Sequence, residues 1–158
     1  MRLQATSTAE VVSGYADYSV GTVWGRFDDQ YALLDLVRGK YTYPELKRIV
    51  MQTLGKYPNA KLLIEDAGSG TSLIQDLQSE GLSVHANRPV GDKVVRMSAQ
   101  TARIEEGRVL LPESAPWLEE FRSEVMAFPN GRHDDQVDSL AQALAWFIKP
   151  KRRMLAFG

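Results

Sequence analysis

Cysteine is absent from the 158-residue chain, which removes disulfides and thiolate metal sites from consideration. Histidine is nearly as scarce, with only His85 and His133. Any metal site must therefore be built mainly from oxygen, the donor set of Mg²⁺ or Mn²⁺ rather than Zn²⁺. No apolar run approaches the roughly 20 residues of a membrane span. The opening MRLQATSTAE has no apolar core of a signal peptide, so a cytoplasmic protein that avoids membranes is expected. An excess of one charge is missing too: the formal net charge is −1, and composition alone does not announce nucleic-acid binding. Basic residues do gather in two places, Lys149 to Arg153 and the stretch holding Lys93, Arg96, Arg103 and Arg108. Each reads equally as a solvated face or tail.

What is present is ordinary globular material, 44% hydrophobic and 25% charged, enough for one domain with a real core. Residues 1–16 show little periodicity and read as an irregular N-terminal segment, a truncated first strand. Tyr18 to Trp24 alternates, Asp28-Asp29 turns, and Tyr31 to Val37 returns, predicting an antiparallel hairpin. Thr42-x-x-Glu45 resembles a capping box with Pro44 in the opening turn. Leu46, Ile49, Val50, Thr53 and Leu54 follow at helical spacing. Lys61 to Glu65 predicts a buried parallel strand, broken by Gly68-Ser69-Gly70 and followed by a helix from about Thr71. Ser83 to Ala86 predicts a strand. A helix capped by Asp92 should turn Val94, Met97, Thr101 and Ile104 inward and end at Gly107. A strand over Arg108 to Leu111, a helix from Trp117 to Pro129 and a last helix from Asp134 complete the chain. The last helix should bury Val137, Leu140, Ala141, Leu144 and Ile148. The class is α/β, one domain with a mixed sheet flanked by helices. The domain should span 17–148, with 149–158 as a basic tail.

Carboxylates concentrate in two places. Glu65-Asp66 lies at the carboxyl end of a predicted strand, where α/β sheets bind ligands, and Gly68 and Gly70 permit close approach. Asp134, Asp135 and Asp138 open the last helix, and the spacings of three and four put them on one face. Like charges so placed repel unless a divalent cation joins them, and hydrolysis at phosphorus is one use of such a site. The plainer readings are a helix cap for Asp134 or Asp135 and a surface acid for Glu65. Capping explains Asp138 less well, one turn inside. His133 could polarise a water or touch a phosphate, or be a loop residue.

Longer motifs run in order through the chain: Asp17-Tyr-Ser-Val, Thr22-Val-Trp-Gly25, Leu34-Asp-Leu-Val-Arg-Gly39, Leu63-Ile-Glu-Asp-Ala-Gly-Ser-Gly70, Gly91-Asp-Lys93, Ala115-Pro-Trp117 and Phe128-Pro-Asn-Gly-Arg-His-Asp-Asp-Gln-Val-Asp138. With them the chain resembles the C-terminal nuclease domain of tailed-phage large terminases. The resemblance implies a ribonuclease H-like fold whose acids bind two Mg²⁺ or Mn²⁺ ions, one activating water and the other stabilising the leaving 3′-oxygen. It implies a double-stranded DNA substrate, concatemers cut during genome packaging in the host cytoplasm. The implied partners are a terminase ATPase domain, the small terminase subunit and the portal protein. Glu65, Asp134, Asp135 and Asp138 carry over as metal ligands, with Glu65, Asp135 and Asp138 catalytic. Asp66 and His133 would stand behind them, and Ser69, Gly70, Lys93 and Arg96 would face DNA. One departure is that the family's first-strand acid has no counterpart in Leu3 to Ala9. Asp17 belongs to the Asp-Tyr-Ser motif, and Glu10 has no spacing argument behind it. Two alternatives follow: a non-catalytic DNA-binding or assembly remnant of the same fold, or a Holliday-junction resolvase-like nuclease.

Overall fold

The computed structural model describes the backbone of residues 8–12 and all of residues 18–148. The basic tail 149–158, Asp17 and the cations Lys151, Arg152 and Arg153 lie outside the described residues. The elements run β1 (Thr8–Val12), β2 (Ser19–Phe27), β3 (Gln30–Gly39), α1 (Tyr43–Lys56), β4 (Lys61–Glu65), α2 (Ser69–Ser79), β5 (Val84–Asn87), α3 (Lys93–Glu105), β6 (Val109–Leu110), α4 (Leu118–Ala127) and α5 (Asp135–Ile148). The strands form one sheet in the order β5-β4-β1-β2-β3-β6. β1 pairs antiparallel with β2 and parallel with β4, so the sheet is mixed, as the alternation of elements predicts.

The first strand corrects the sequence expectation. Part of the segment expected to be irregular is β1, sandwiched between β2 and β4 near the centre of the sheet. Five residues, Thr-Ala-Glu-Val-Val, are too short to show a period, and of their two partners, β2 next in the chain and β4, the second lies beyond α1. The strand begins later than the Leu3 to Ala9 stretch suggested, and it carries an acid, Glu10.

Helices cover both faces. On one, α1 and α2 bury Leu46, Val50, Leu73 and Leu77 against Val23, Leu62 and Ile64. On the other, α4 and α5 bury Phe121, Leu140 and Leu144 against Trp24, Leu33 and Leu36. The expected capping box opens α1, with Glu45 accepting from the Thr42 backbone and hydroxyl at 2.8 and 2.7 Å. Helix α3 differs from its predicted face. Met97 and Ile104 pack inward, but Val94 is 44% exposed and Thr101 is exposed, while Gln100 is buried. The helix is turned so that Lys93 and Arg96 look towards α5, a choice that hydrophobic spacing cannot register. Ile148 is likewise 43% exposed at the end of α5.

Candidate metal centre and its acidic residues

Strand β4 delivers Glu65 to the edge of the sheet where α5 begins. Its end is tightly built. Gly68 turns at φ 54°, and α2 starts so close that a Cβ on Gly70 would lie 2.1 Å from the Glu65 carbonyl oxygen. Gly70 is buried there, and Ser69 is the first residue of α2. Only glycine lets the helix abut the strand end at that distance.

Helix α5 is fixed from the other side by Glu124 of α4, which is 8% exposed. Its carboxylate accepts from the Gln136 backbone at 2.6 Å, the Gln136 side-chain amide at 2.6 Å and the Val137 backbone at 3.3 Å. An acid from a neighbouring helix thus satisfies N–H groups that a helix start leaves open. Thr22 of β2 and Ser139 of α5 share a buried hydrogen bond of 2.8 Å. Together these contacts set the rotation of α5 and turn Asp138 inward, 6% exposed.

Glu65 and Asp138 meet through one side chain. The Gln142 amide nitrogen donates to Glu65 Oε2 at 2.8 Å and to Asp138 Oδ2 at 3.2 Å. Asn87, at the end of β5, donates to the Gln142 amide oxygen at 2.6 Å and fixes which way the amide points. The other oxygen of Asp138 accepts from Arg96 at 2.5 Å. Lys93 donates to Asp134 at 2.7 Å. Burial works against the Lys93 charge, but the hydrogen bond to Asp134 and the fields of Asp134, Asp138 and Asp135 outweigh it, raising its pKa above the usual lysine value.

The remaining predicted residues are less central. Asp66 accepts from Thr71 at 2.8 Å and from Arg88 at 2.8 Å; these hold its pKa below the usual carboxylate value. Asp135 is the first residue of α5 and half-buried. His133 stands edge-on against Tyr18, with ring centroids 5.4 Å apart. Gln142, Asn87 and Glu124 escaped the sequence reading. Gln142 had a signal, since it lies four residues after Asp138 on the same helical face.

Among the described residues no three histidine, aspartate or glutamate side chains converge tightly enough to hold a metal ion. The Glu10 side chain is not among those described, but its register is. Glu10 pairs with Thr22 on β2 and Leu63 on β4. Paired residues share a face, and Thr22 reaches α5. Position 10 is therefore on the α5 face, one strand across and two residues back from Glu65. The carboxylates of β4 and α5 are oxygen donors of the kind a hard divalent cation takes.

Comparison with known proteins speaks to the family and the fold. The model of the terminase RNaseH-like domain family matches residues 10–146. None of the curated proteins compared matches the chain. The large terminase nuclease from thermophilic phage G20c superposes with a TM-score of 0.72 over 91% of this chain and 82% of that one. Its zinc-bound form is 24% identical and its magnesium-bound form 22% identical. The human cytomegalovirus terminase nuclease domain, soaked in manganese, superposes with a TM-score of 0.66 over 95% of this chain and 86% of that one, at 11% identity. At these identities the structural likeness speaks for the fold, ribonuclease H-like, while the family match covers most of the sequence. The chain belongs to the terminase RNaseH-like domain family.

Proposed function

We propose that this chain is a metal-dependent endonuclease domain that cuts double-stranded DNA. The observation that carries this reading is the meeting of Glu65 and Asp138 on the single Gln142 amide, beside the β1 position of Glu10. Glu65, Asp138 and Glu10 would hold Mg²⁺ or Mn²⁺, with Asp135 and Asp134 close by on α5. A pair of such ions supplies a water nucleophile at neutral pH and charge stabilisation at the leaving oxygen. Magnesium and manganese accompany the phage and cytomegalovirus nucleases, and the oxygen donors here suit both.

The residues of this chain do the positioning. Asn87 orients Gln142, which spaces the two carboxylates. Arg96 and Lys93 neutralise Asp138 and Asp134 and would turn to DNA phosphates once a cation takes over that charge. Ser69 and Gly70 would come near the backbone at the β4 end. Family membership supports a role in packaging concatemeric DNA in a bacterial host cytoplasm, alongside an ATPase domain, small subunit and portal. No helix among the described residues is long and apolar enough to cross a membrane.

A second reading has its own observation. Arg96 and Lys93 pair with two of the acids, and a domain that kept those pairs would bind DNA without cutting it. Titration of Mn²⁺ into the wild type, Glu10→Gln, Glu65→Gln and Asp138→Asn separates the two. A nuclease binds Mn²⁺ and loses at least ten-fold in affinity with each variant. Equal, weak binding by all four folded proteins would leave the second reading standing.

A further inference from the structure

A second polar cluster stands at the same sheet edge as Glu65. Arg38, near the end of β3, lies flat on Tyr18, its guanidinium carbon 3.7 Å from the ring centroid. Lys40 reaches the same ring at 5.4 Å, and His133 meets its edge. Arg38 is 10% exposed in its side chain, and its Nε is buried with no partner among the described residues. With Arg132, His133 and the acids Glu120 and Glu124, the second occupied by its bonds to the start of α5, it lines a cavity of about 200 Å³. Its Nη1 is met by Glu120, a carboxylate 61% exposed.

The register relates this cavity to the metal centre. Arg38 pairs with Val20, and Val20 pairs with Val12. The rung after Val11 and Ile64 sets Val12 beside Glu65. Glu65 and Arg38 therefore lie on one row and one face, three strands apart, with the start of α5 between them. At about 4.8 Å per strand the separation is about 14 Å, the axial length of about four base pairs at about 3.4 Å each.

We propose that the Arg38, Arg132, Lys40 and His133 cluster is a phosphodiester site that holds the DNA backbone flanking the cut. This rests on the nuclease reading and deepens it. Glu120 already marks where an oxyanion sits on Arg38. Because it is exposed, a backbone phosphate can replace it at little cost and gains Arg132 and His133 of the cavity as further donors, with Lys40 nearby at the Tyr18 ring. The Tyr18 ring, 3.7 Å from the guanidinium carbon, restrains the direction in which the planar group points, which favours an anion of fixed position over diffuse attraction.

The test is anisotropy of a fluorescein-labelled blunt DNA duplex in EDTA across a salt series. Arg132→Gln and Lys40→Gln change exposed residues that the fold does not need; Arg38→Gln is the stronger variant, with folding checked. Each should weaken binding about three- to ten-fold and flatten the slope of log K against log salt by about 0.9. Glu120→Gln should tighten binding at low salt, which a purely structural Arg38–Glu120 pair would not do. Lys47→Gln, on α1, should behave as wild type. Duplex binding with unchanged slopes in the arginine and lysine variants overturns the subsite and leaves the nuclease reading intact. No duplex binding by folded wild type also overturns it, and the Mn²⁺ titration then decides whether the nuclease reading falls too.

Discussion

Replacing Glu124 with alanine should destabilise the domain and unseat the Asp138 end of the acidic cluster, although Glu124 does not itself touch Glu65 or Asp138 in any described contact. The buried carboxylate is the acceptor for the Gln136 backbone and side-chain amides, both at 2.6 Å, and more weakly for Val137. Alanine leaves at least two of these buried donors unmet. An unsatisfied buried group costs about 1–3 kcal/mol, so a loss of about 2–5 kcal/mol is expected after partial relaxation. In a domain of this size that lowers Tm by about 5–15 °C. Glu124→Gln is the informative partner. It keeps one acceptor oxygen, and the Gln136 amide oxygen, buried and unpartnered, can turn to accept from the new amide. Its cost should be near 1 kcal/mol. Urea unfolding followed by circular dichroism reads both. Alanine and glutamine variants within about 0.5 kcal/mol of wild type would show that α5 is positioned by its apolar packing alone, and the reasoning would fail.

Three further outcomes follow from neighbouring contacts. Gln142→Leu removes the bridge between Glu65 and Asp138 and leaves the Asn87 side-chain amide without this acceptor; Mn²⁺ affinity should fall at least ten-fold in a titration, with stability down by about 1–3 kcal/mol. Gly70→Ala puts a methyl group 2.1 Å from a backbone oxygen that cannot yield, so a loss of about 1–3 kcal/mol from forced displacement of α2 is expected in urea unfolding. The Asp66 carboxyl is held below its ordinary pKa by Thr71 and Arg88; its stabilisation is present above the unfolded value of about 3.9 and is lost as pH falls through the lower folded value. Asp66→Asn should therefore flatten the fall of the urea midpoint below about pH 4, and an unchanged acid profile would contradict the assignment.

The sequence made the local features of this fold legible and hid the tertiary ones. The hairpin, the α1 capping box and the strand ending at Glu65 announce themselves within a few residues. Asp138 stood out because capping explains it poorly, and its burial supplies the reason. Strand β1 was legible only as a truncated first strand, without its position, because five residues show no period and its parallel partner β4 lies beyond α1. With it went the position of Glu10, which acquires meaning only from its rung. The face of α3 was misjudged because Lys93 and Arg96 turn inward to meet carboxylates on α5. Hydrophobic spacing has no term for that attraction. Gln142 and Glu124 look like ordinary surface polar residues until the packing of α4, α5 and β4 brings them to their partners.

Glu65 and Asp138 are proposed to form a working metal site. Its most direct test is conversion of supercoiled plasmid by the purified chain with Mn²⁺, beside Glu65→Gln and Asp138→Asn proteins of verified fold. Nicking and linearisation by wild type are expected, with a loss of at least about a hundred-fold in both variants. Cleavage that survives both substitutions, or none by folded wild type over a range of Mn²⁺ concentrations, would contradict it.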